Sequence, residues 1–143
     1  MFVSDEIADT LGLPAREAAA RTPLGLISRI ESGLPLGAVG RIAQLLAPAD
    51  ALFKYRLIPK ATYERRKAGH RISPEEGARL ARVARVWSVA RDVWGSDEAA
   101  RRFLFRPHMM LEDKRPVDVV LSSEFGAEMV VDILGGLKYG TAA

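Results

Sequence analysis

A segment in the middle of this chain spells out one long helix, and it limits the possible folds more than any other stretch. It opens with Ser73-Pro74-Glu75-Glu76. The serine can cap the helix, the proline sits where a missing N–H costs nothing, and two acids lie on the positive end of the dipole. The second acid falls three residues after the cap, as a capping box requires. Leu80, Val83, Trp87, Ala90 and Trp94 follow at steps of three and four residues, the spacing of one helix face and not of a strand. That stripe is expected to face a core, with Trp87 and Trp94 packed in it. Val86, Val89 and Val93 widen the apolar side, which predicts a helix touched on two sides or lying in a dimer interface. Gly95 closes it.

The same period recurs on both sides, so the fold class read from the sequence is all-α. Upstream, Leu36, Val39, Ile42 or Ala43, and Leu46 share a face and predict a helix over 36–46. Pro48 is placed to open a second helix, with Ala51, Leu52 and Tyr55 as its apolar side. Pro59 pushes Ile58 out of the α region and ends that helix, then starts a third over 60–68, which Gly69 can terminate. Downstream, Ser96 or Asp97 caps a helix over 98–105, Arg106-Pro107 breaks it, and residues 108–115 form a loop. Pro116 opens a short helix over 117–121. Ser123 and Glu124 begin the last one, 125–137, in which Phe125, Met129, Ile133 and Leu137 recur every four residues beside Val130 and Leu134. The remaining residues, Lys138 onward, have no period and are expected to fray.

Charge divides the chain more sharply than periodicity does. Residues 1–53 hold four Lys/Arg against six Asp/Glu, residues 54–91 eleven against three, and residues 92–143 six against nine. The total of +3 therefore hides a basic centre between acidic ends. Within residues 54–71, KYRLIPKATYERRKAGHR, seven basic side chains share a single acid, Glu64. Lys and Arg are almost never buried unpaired, so this run points to an anionic partner.

A short helix, a tight turn at Leu57-Ile58-Pro59 and a basic helix together have the outline of a helix-turn-helix, whose second helix lies in the DNA major groove. On that helix Lys60, Arg65, Arg66 and Lys67 can neutralise phosphates, an arginine fork can also bond guanine, and Thr62 and Tyr63 supply hydroxyls. Arg71 extends the basic surface beyond the helix. One of Tyr63 and Ile58 is expected to face inward.

Other chemistries find little support. At 143 residues the chain has the size of one domain or two very small ones. It has no cysteine, hence no disulfide and no thiolate. His70 and His108 are the only histidines and form no familiar metal spacing. GLPLGAVG lacks the lysine and the preceding strand of a phosphate loop. The acidic start MFVSDEIADT is unlike a secretory signal, and no run of apolar residues is long enough to span a bilayer. A cytoplasmic protein is the expectation, with no catalytic, metal or cofactor residues of its own.

The order TYERRKAGHRISPEEGARLARVARVWSVARDVWGSDEAARRFL, then RP, then LEDKRPVDVVLSSEFGAEMVVDILGGLKYG resembles the Xre/MbcA/ParS antitoxins of bacterial RES-type toxin–antitoxin pairs. The likeness runs from about Leu36 to the C-terminus, with Gly77 and Ala78 standing where the family commonly shows a serine after the two acids. It implies an N-terminal Xre-like helix-turn-helix domain that represses its own operon, followed by a small C-terminal helical toxin-binding domain. The division expected is a partly helical segment over 1–35, which carries no part of the likeness, then the DNA-binding region over 36–72, a connecting helix over 73–95, and the toxin-binding domain with its tail over 96–143. It further implies two partners for a homodimer within a larger hetero-oligomer: operator double-stranded DNA and a RES-domain toxin that consumes NAD or ADP-ribosylates a target. The DNA-reading role falls on Lys60, Thr62, Tyr63, Arg65, Arg66, Lys67 and Arg71, and the occlusion of the toxin's active site on Lys138, Tyr139, Gly140 and Thr141. On the residues alone, a dimeric helix-turn-helix regulator without a toxin, or an enzyme built on Glu and Asp clusters, stays open.

Overall fold

In the computed structural model, which describes residues 4–140, the capping box at Ser73 closes. Ser73 Oγ accepts the Glu76 N–H at 3.2 Å and Glu76 Oε1 accepts the Ser73 N–H at 2.8 Å. Among the described residues the structure is all-α, with two isolated bridges in place of any sheet. The helices are α1 (Ser4–Thr10), α2 (Pro23–Ser32), α3 (Gly37–Leu46), α4 (Lys54–Leu57), α5 (Lys60–Arg66), α6 (Pro74–Trp94), α7 (Asp97–Phe105), α8 (Pro116–Ser122) and α9 (Glu124–Tyr139). Single 3-10 turns occur at Ala18–Arg21 and Met109–Leu111. The chain divides into two compact units between Arg85 and Val86, so α6 gives its first half to one unit and its second to the other.

In the first unit, Arg21 ties the 3-10 turn at Ala18–Arg21 to α1. Its Nη1 bonds Asp5 Oδ1 at 2.8 Å and Asp9 Oδ1 at 2.5 Å, and its Nη2 donates to the Leu13 carbonyl at 2.8 Å. Both aspartates push the guanidinium's pKa further up, Asp9 most. Beneath this clamp Ile7, Leu11 and Leu26 are buried. Thr22 caps α2 by accepting the Gly25 N–H at 3.1 Å. Gly25 must be glycine, because a Cβ there would lie 1.6 Å from the Ala19 carbonyl oxygen.

Helix α3 buries Val39, Ile42 and Leu46 as its period requires. The helix expected from Pro48 is not formed there. Asp50 Oδ1 accepts the Leu52 N–H at 3.0 Å, an Asx turn that competes with helical hydrogen bonds, and α4 begins only at Lys54. Its inward residues are consequently Phe53, Leu57 and Ile58, whereas Leu52 is exposed. Of Ile58 and Tyr63, Ile58 is the one that turns inward, with Tyr63 half-buried.

Helix α5 also stops short of Ala68, at Arg66, and the left-handed residue that follows is His70 (φ 57) rather than Gly69. The reversal falls at His70 because the next residues pair with residues 34–36. The Leu36 N–H reaches His70 O and the Ile72 N–H reaches Leu34 O, each at 3.0 Å, with Pro35 and Arg71 bridged between them. Both ends of the 36–72 region are thereby tied together. Arg79 on α6 donates to the Leu57 carbonyl at 2.9 Å and so caps α4. Gly77 is buried, and a Cβ there would come within 3.2 Å of the Ile30 side chain.

In the second unit Val86, Trp87 and Ala90 of α6 are buried. Ser96 caps α7 through the Ala99 N–H at 3.1 Å, and Ser123 caps α9 through the Gly126 N–H at 2.9 Å. Helices α8 and α9 approach at Gly126, where a Cβ would lie 2.2 Å from the Val119 carbonyl oxygen.

Three expectations for this unit are corrected. Trp94 does not join the core: 42% of it is exposed, because Gly95 (φ 80) ends α6 one residue on and the ring packs on one side only, 5.9 Å from Phe103. The every-fourth-residue stripe of α9 is not wholly its buried face either. The crossing uses Gly126, Ala127, Val130, Ile133 and Leu134, one residue round the helix, and leaves Phe125 75% exposed and Met129 38% exposed. The helix also does not fray at Leu137. It continues through Tyr139, capped by left-handed Gly140 (φ 71) whose N–H bonds Gly136 O, and Lys138 pairs with Asp92.

Candidate DNA interface and C-terminal segment

Helix α5 and its cap Lys67 carry four cations in eight residues, and the helix buries none of its side chains fully. A helix this short has marginal stability alone and is held here from its ends. The C-terminal anchor is Arg66, whose Nε and Nη2 bond Glu76 at 3.1 and 3.3 Å. Burial pushes the Glu76 carboxyl up, but the Arg66 fork and the Ser73 N–H together outweigh it and hold the pKa below the ordinary glutamate value. The N-terminal anchor is the buried Ile58 with Pro59.

With the ends held, the outer face is basic and aromatic. Lys60 and Arg65 are exposed and form no close ion pair with a carboxylate among the described residues, although Lys60, after Lys67, adds to the field that lowers the Glu64 pKa. Lys67 pairs at 2.9 Å with Glu64 on its own helix, an exposed contact that lowers the glutamate pKa and raises that of the lysine. Thr62 is half-exposed. Arg71 is exposed and donates to the Ser32 carbonyl at 3.2 Å.

Two residues of α4 belong to this face and were missed by the pattern. The Tyr63 ring stands edge-on to Tyr55 at 5.9 Å, and Lys54 Nζ lies 4.8 Å from the centre of Tyr63 and 5.3 Å from that of Tyr55. Lys60 and Lys67 approach the same rings at 5.8 and 5.7 Å. Three ammonium groups are thus gathered around two tyrosines, which orients the lysines; Lys54 and Lys60 keep their N–H groups for a phosphate, while Lys67 also pairs with Glu64. Lys54 was visible as the first cation of the basic run. Tyr55 was not, because its period assigned it to the apolar side of a helix that starts elsewhere.

The C-terminal candidates divide differently. Lys138 is not on a loose tail: it occupies the last turn of α9, 2.5 Å from Asp92 Oδ2, and that carboxylate raises its pKa. Tyr139 is 75% exposed, with the Lys138 ammonium 5.8 Å from its ring. Gly140 is the helix cap. Thr141 lies outside the described residues. Close to this end Trp94, Phe103, Arg106, His108 and Leu137 line a hollow of about 260 Å³. Among the described residues no group of His, Asp and Glu could hold a metal ion, and no helix is long and apolar enough to cross a membrane. His108 is engaged structurally, its Nδ1 accepting the Met110 N–H at 3.1 Å.

Comparison with known proteins agrees with this two-part arrangement. The family model for the antitoxin Xre-like helix-turn-helix domain matches residues 25–85, beginning in α2 and upstream of Leu36. The model for the antitoxin Xre/MbcA/ParS C-terminal toxin-binding domain matches residues 89–140. Antitoxin Xre of Yersinia enterocolitica serotype O:8 / biotype 1B is 30% identical over 133 residues, covering 91% of this chain and 86% of that protein. Helix-turn-helix domain, toxin-binding domain and full-length relative point the same way, and the chain belongs to the Xre/MbcA/ParS antitoxin family.

Proposed function

We propose that this antitoxin neutralises a RES-domain toxin, an enzyme that consumes NAD or ADP-ribosylates a target, and represses its own operon from the cytoplasm as a homodimer within a toxin–antitoxin hetero-oligomer. The observation that carries the DNA half is that α5 exposes Lys60 and Arg65, neither held in a close ion pair among the described residues, while Arg66 is bonded to Glu76 behind the helix. In the major groove Lys60, Thr62, Tyr63 and Arg65 would meet bases or phosphates, and Lys67, Arg71 and Lys54 would contact the flanking backbone. Arg66 acts indirectly, as the strut that sets the angle of α5.

The toxin half rests on the exposed end of α9. Tyr139 presents a rigid aromatic tip in the last turn of a capped helix, between Lys138 and the cap Gly140, and Thr141, which follows in the sequence, lies outside the described residues. An aromatic with few rotatable bonds and a neighbouring ammonium suits a cleft built for a nucleotide's ring and phosphates. Nothing in this role requires a cofactor or a catalytic residue on the antitoxin.

The test separates the halves. Arg65→Ala with Lys60→Ala is expected to weaken operator binding and leave neutralisation of the toxin intact. Truncation after Leu137 is expected to restore the toxin's NAD consumption and leave operator binding intact. Equal loss of both activities in either variant contradicts the division.

A further inference from the structure

We infer that an apolar groove formed by Met110 on the 108–114 loop and by Phe125 and Met129 on α9 is the main anchoring surface for the toxin, separate from the α9 tip. This rests on the toxin-binding reading of the domain and deepens it. The groove has a volume of about 430 Å³ and a floor of Leu111, Val119 and Gly126. Met109 and Met110 are 84% and 51% exposed, Phe125 and Met129 75% and 38%. Three large apolar residues open to solvent around one groove, Met110, Phe125 and Met129, with Met109 exposed on the same loop, are uncommon on a surface that has no partner. Phe125 and Met129 are the part of a core-type sequence stripe that this chain's own packing leaves exposed.

The loop is built to hold its methionines still. The His108 N–H bonds Lys114 O and the Asp113 N–H bonds His108 O, each at 3.0 Å, closing the loop at its base. Its tip turns through a 3-10 step at Met109–Leu111, capped by His108 Nδ1. Glu112 (φ 54) and Asp113 (φ 64) are both left-handed, and neither is glycine. Two consecutive residues in that region carry a conformational cost, and such strain concentrates at binding sites. The result is a preorganised pair of soft, polarizable side chains that lose little entropy when covered.

The occupant is identified by position and charge. The groove lies wholly within the stretch matched by the toxin-binding family model. Its edges carry Glu112 and Asp118, with Asp113, Glu124 and Glu128 on the adjoining turns, against Lys114 and Arg115, the latter bonded to Asp118 at 2.9 and 3.1 Å. A second copy of the chain would bring these acids against themselves across a two-fold axis, which costs energy. DNA is repelled for the same reason. A toxin face with an apolar knob and a basic rim fits. Phe125 and Tyr139 are 14 residues apart on one helix, about 20 Å, so a single interface of ordinary size can take both groove and tip.

Phe125 occupies the first turn of α9, where an aspartate favours the helix dipole, so Phe125→Asp tests the groove without unfolding it. The intact chain and its Phe125→Asp, Met110→Asp and Tyr139→Ala variants would be titrated by calorimetry into the purified toxin encoded by the neighbouring reading frame. Thermal melting and operator binding would be measured beside them. Each aspartate variant is expected to raise Kd by about 30-fold or more, the loss of an interface hot spot, with melting and DNA affinity unchanged. A Kd within about twofold of the unaltered chain overturns the inference and leaves the α9 tip as the anchor. Loss of self-association with toxin affinity retained also overturns it, assigning the groove to a second copy. A chain that binds this toxin in no form overturns the toxin reading itself.

Discussion

Arg66 and Glu76 join the end of α5 to the start of α6 through two parallel bonds, Nε to Oε1 at 3.1 Å and Nη2 to Oε2 at 3.3 Å, while Oε1 also takes the Ser73 N–H. One carboxylate thus completes a capping box and fixes the orientation of a neighbouring helix. The side chains are 31% and 15% exposed, far enough from bulk water for the pair to matter structurally.

Glu76→Ala removes both functions and is expected to destabilise the first unit by about 1–2 kcal/mol, the loss of a cap plus a charge-assisted bond. Arg66→Ala should cost stability in the same direction. Arg65→Ala, one residue earlier and exposed, should leave stability within about 0.5 kcal/mol. Urea unfolding of the three variants checks the order.

The same pair gives the first unit an acid sensitivity of known sign. The folded-state pKa of Glu76 lies below its ordinary value of 4.5. Its contribution is therefore fully present above that value and is lost as pH falls through the depressed folded pKa. Melting temperature is expected to drop on acidification below about pH 4.5, more steeply in the unaltered chain than in Glu76→Gln, where the carboxylate is gone at every pH.

DNA affinity should respond to α5 in two distinguishable ways. Lys60→Ala and Arg65→Ala each remove one cation from the phosphate-facing side and should each lower the slope of log affinity against log salt by about 0.9. Lys54→Ala should do the same, although it lies on α4. Arg66→Ala should weaken binding with a smaller change of slope, because it tilts the helix rather than contacting a phosphate. Fluorescence anisotropy on an operator duplex over a series of salt concentrations separates the two behaviours.

The sequence revealed most where one local rule decided the outcome. Ser73-Pro-Glu-Glu had to start a helix because cap, proline and acids all favour it, and the stripe Leu80, Val83, Trp87, Ala90 had to be buried because its period allows a single face. It revealed less where two rules competed. Pro48 suggested a helix start, but Asp50 formed an Asx turn first. Phe125 and Met129 matched a core period as well as Ile133 does, and only the close α8–α9 crossing at Gly126 shows which face turns inward. Within the basic run, nothing in composition distinguishes Arg66, bonded to Glu76, from Arg65, open to solvent, since the difference is the placement of an acid ten residues away.

Gly126 is expected to be the least replaceable residue of the second unit. Its missing Cβ leaves room for the Val119 carbonyl, which would otherwise lie 2.2 Å away. Backbone cannot yield as a flexible side chain can, so Gly126→Ala should cost about 3 kcal/mol or more through overpacking. Gly135, with nothing within 4 Å of a Cβ position, should accept alanine and even gain slightly from the better helix propensity. Thermal melting of the two variants tests whether the crossing, rather than helix propensity, sets stability here.

Lys138 must leave Asp92 if it is to enter the toxin, and that requirement makes the pair a tunable brake. Both side chains are substantially exposed, so the ion pair is worth little and is weakened further by salt. Asp92→Ala removes the competitor without touching the α9 tip, and it is expected to tighten toxin binding by less than about fivefold. Lys138→Ala should weaken binding. In the double variant the Asp92 effect should vanish, since an absent ammonium has nothing to be released from. A gain from Asp92→Ala that persists without Lys138 would show that Asp92 opposes the toxin directly, by its own charge. Calorimetric titration of the four proteins into the toxin at low and moderate salt distinguishes the two, because only the ammonium-release route loses its Asp92 effect in the double variant.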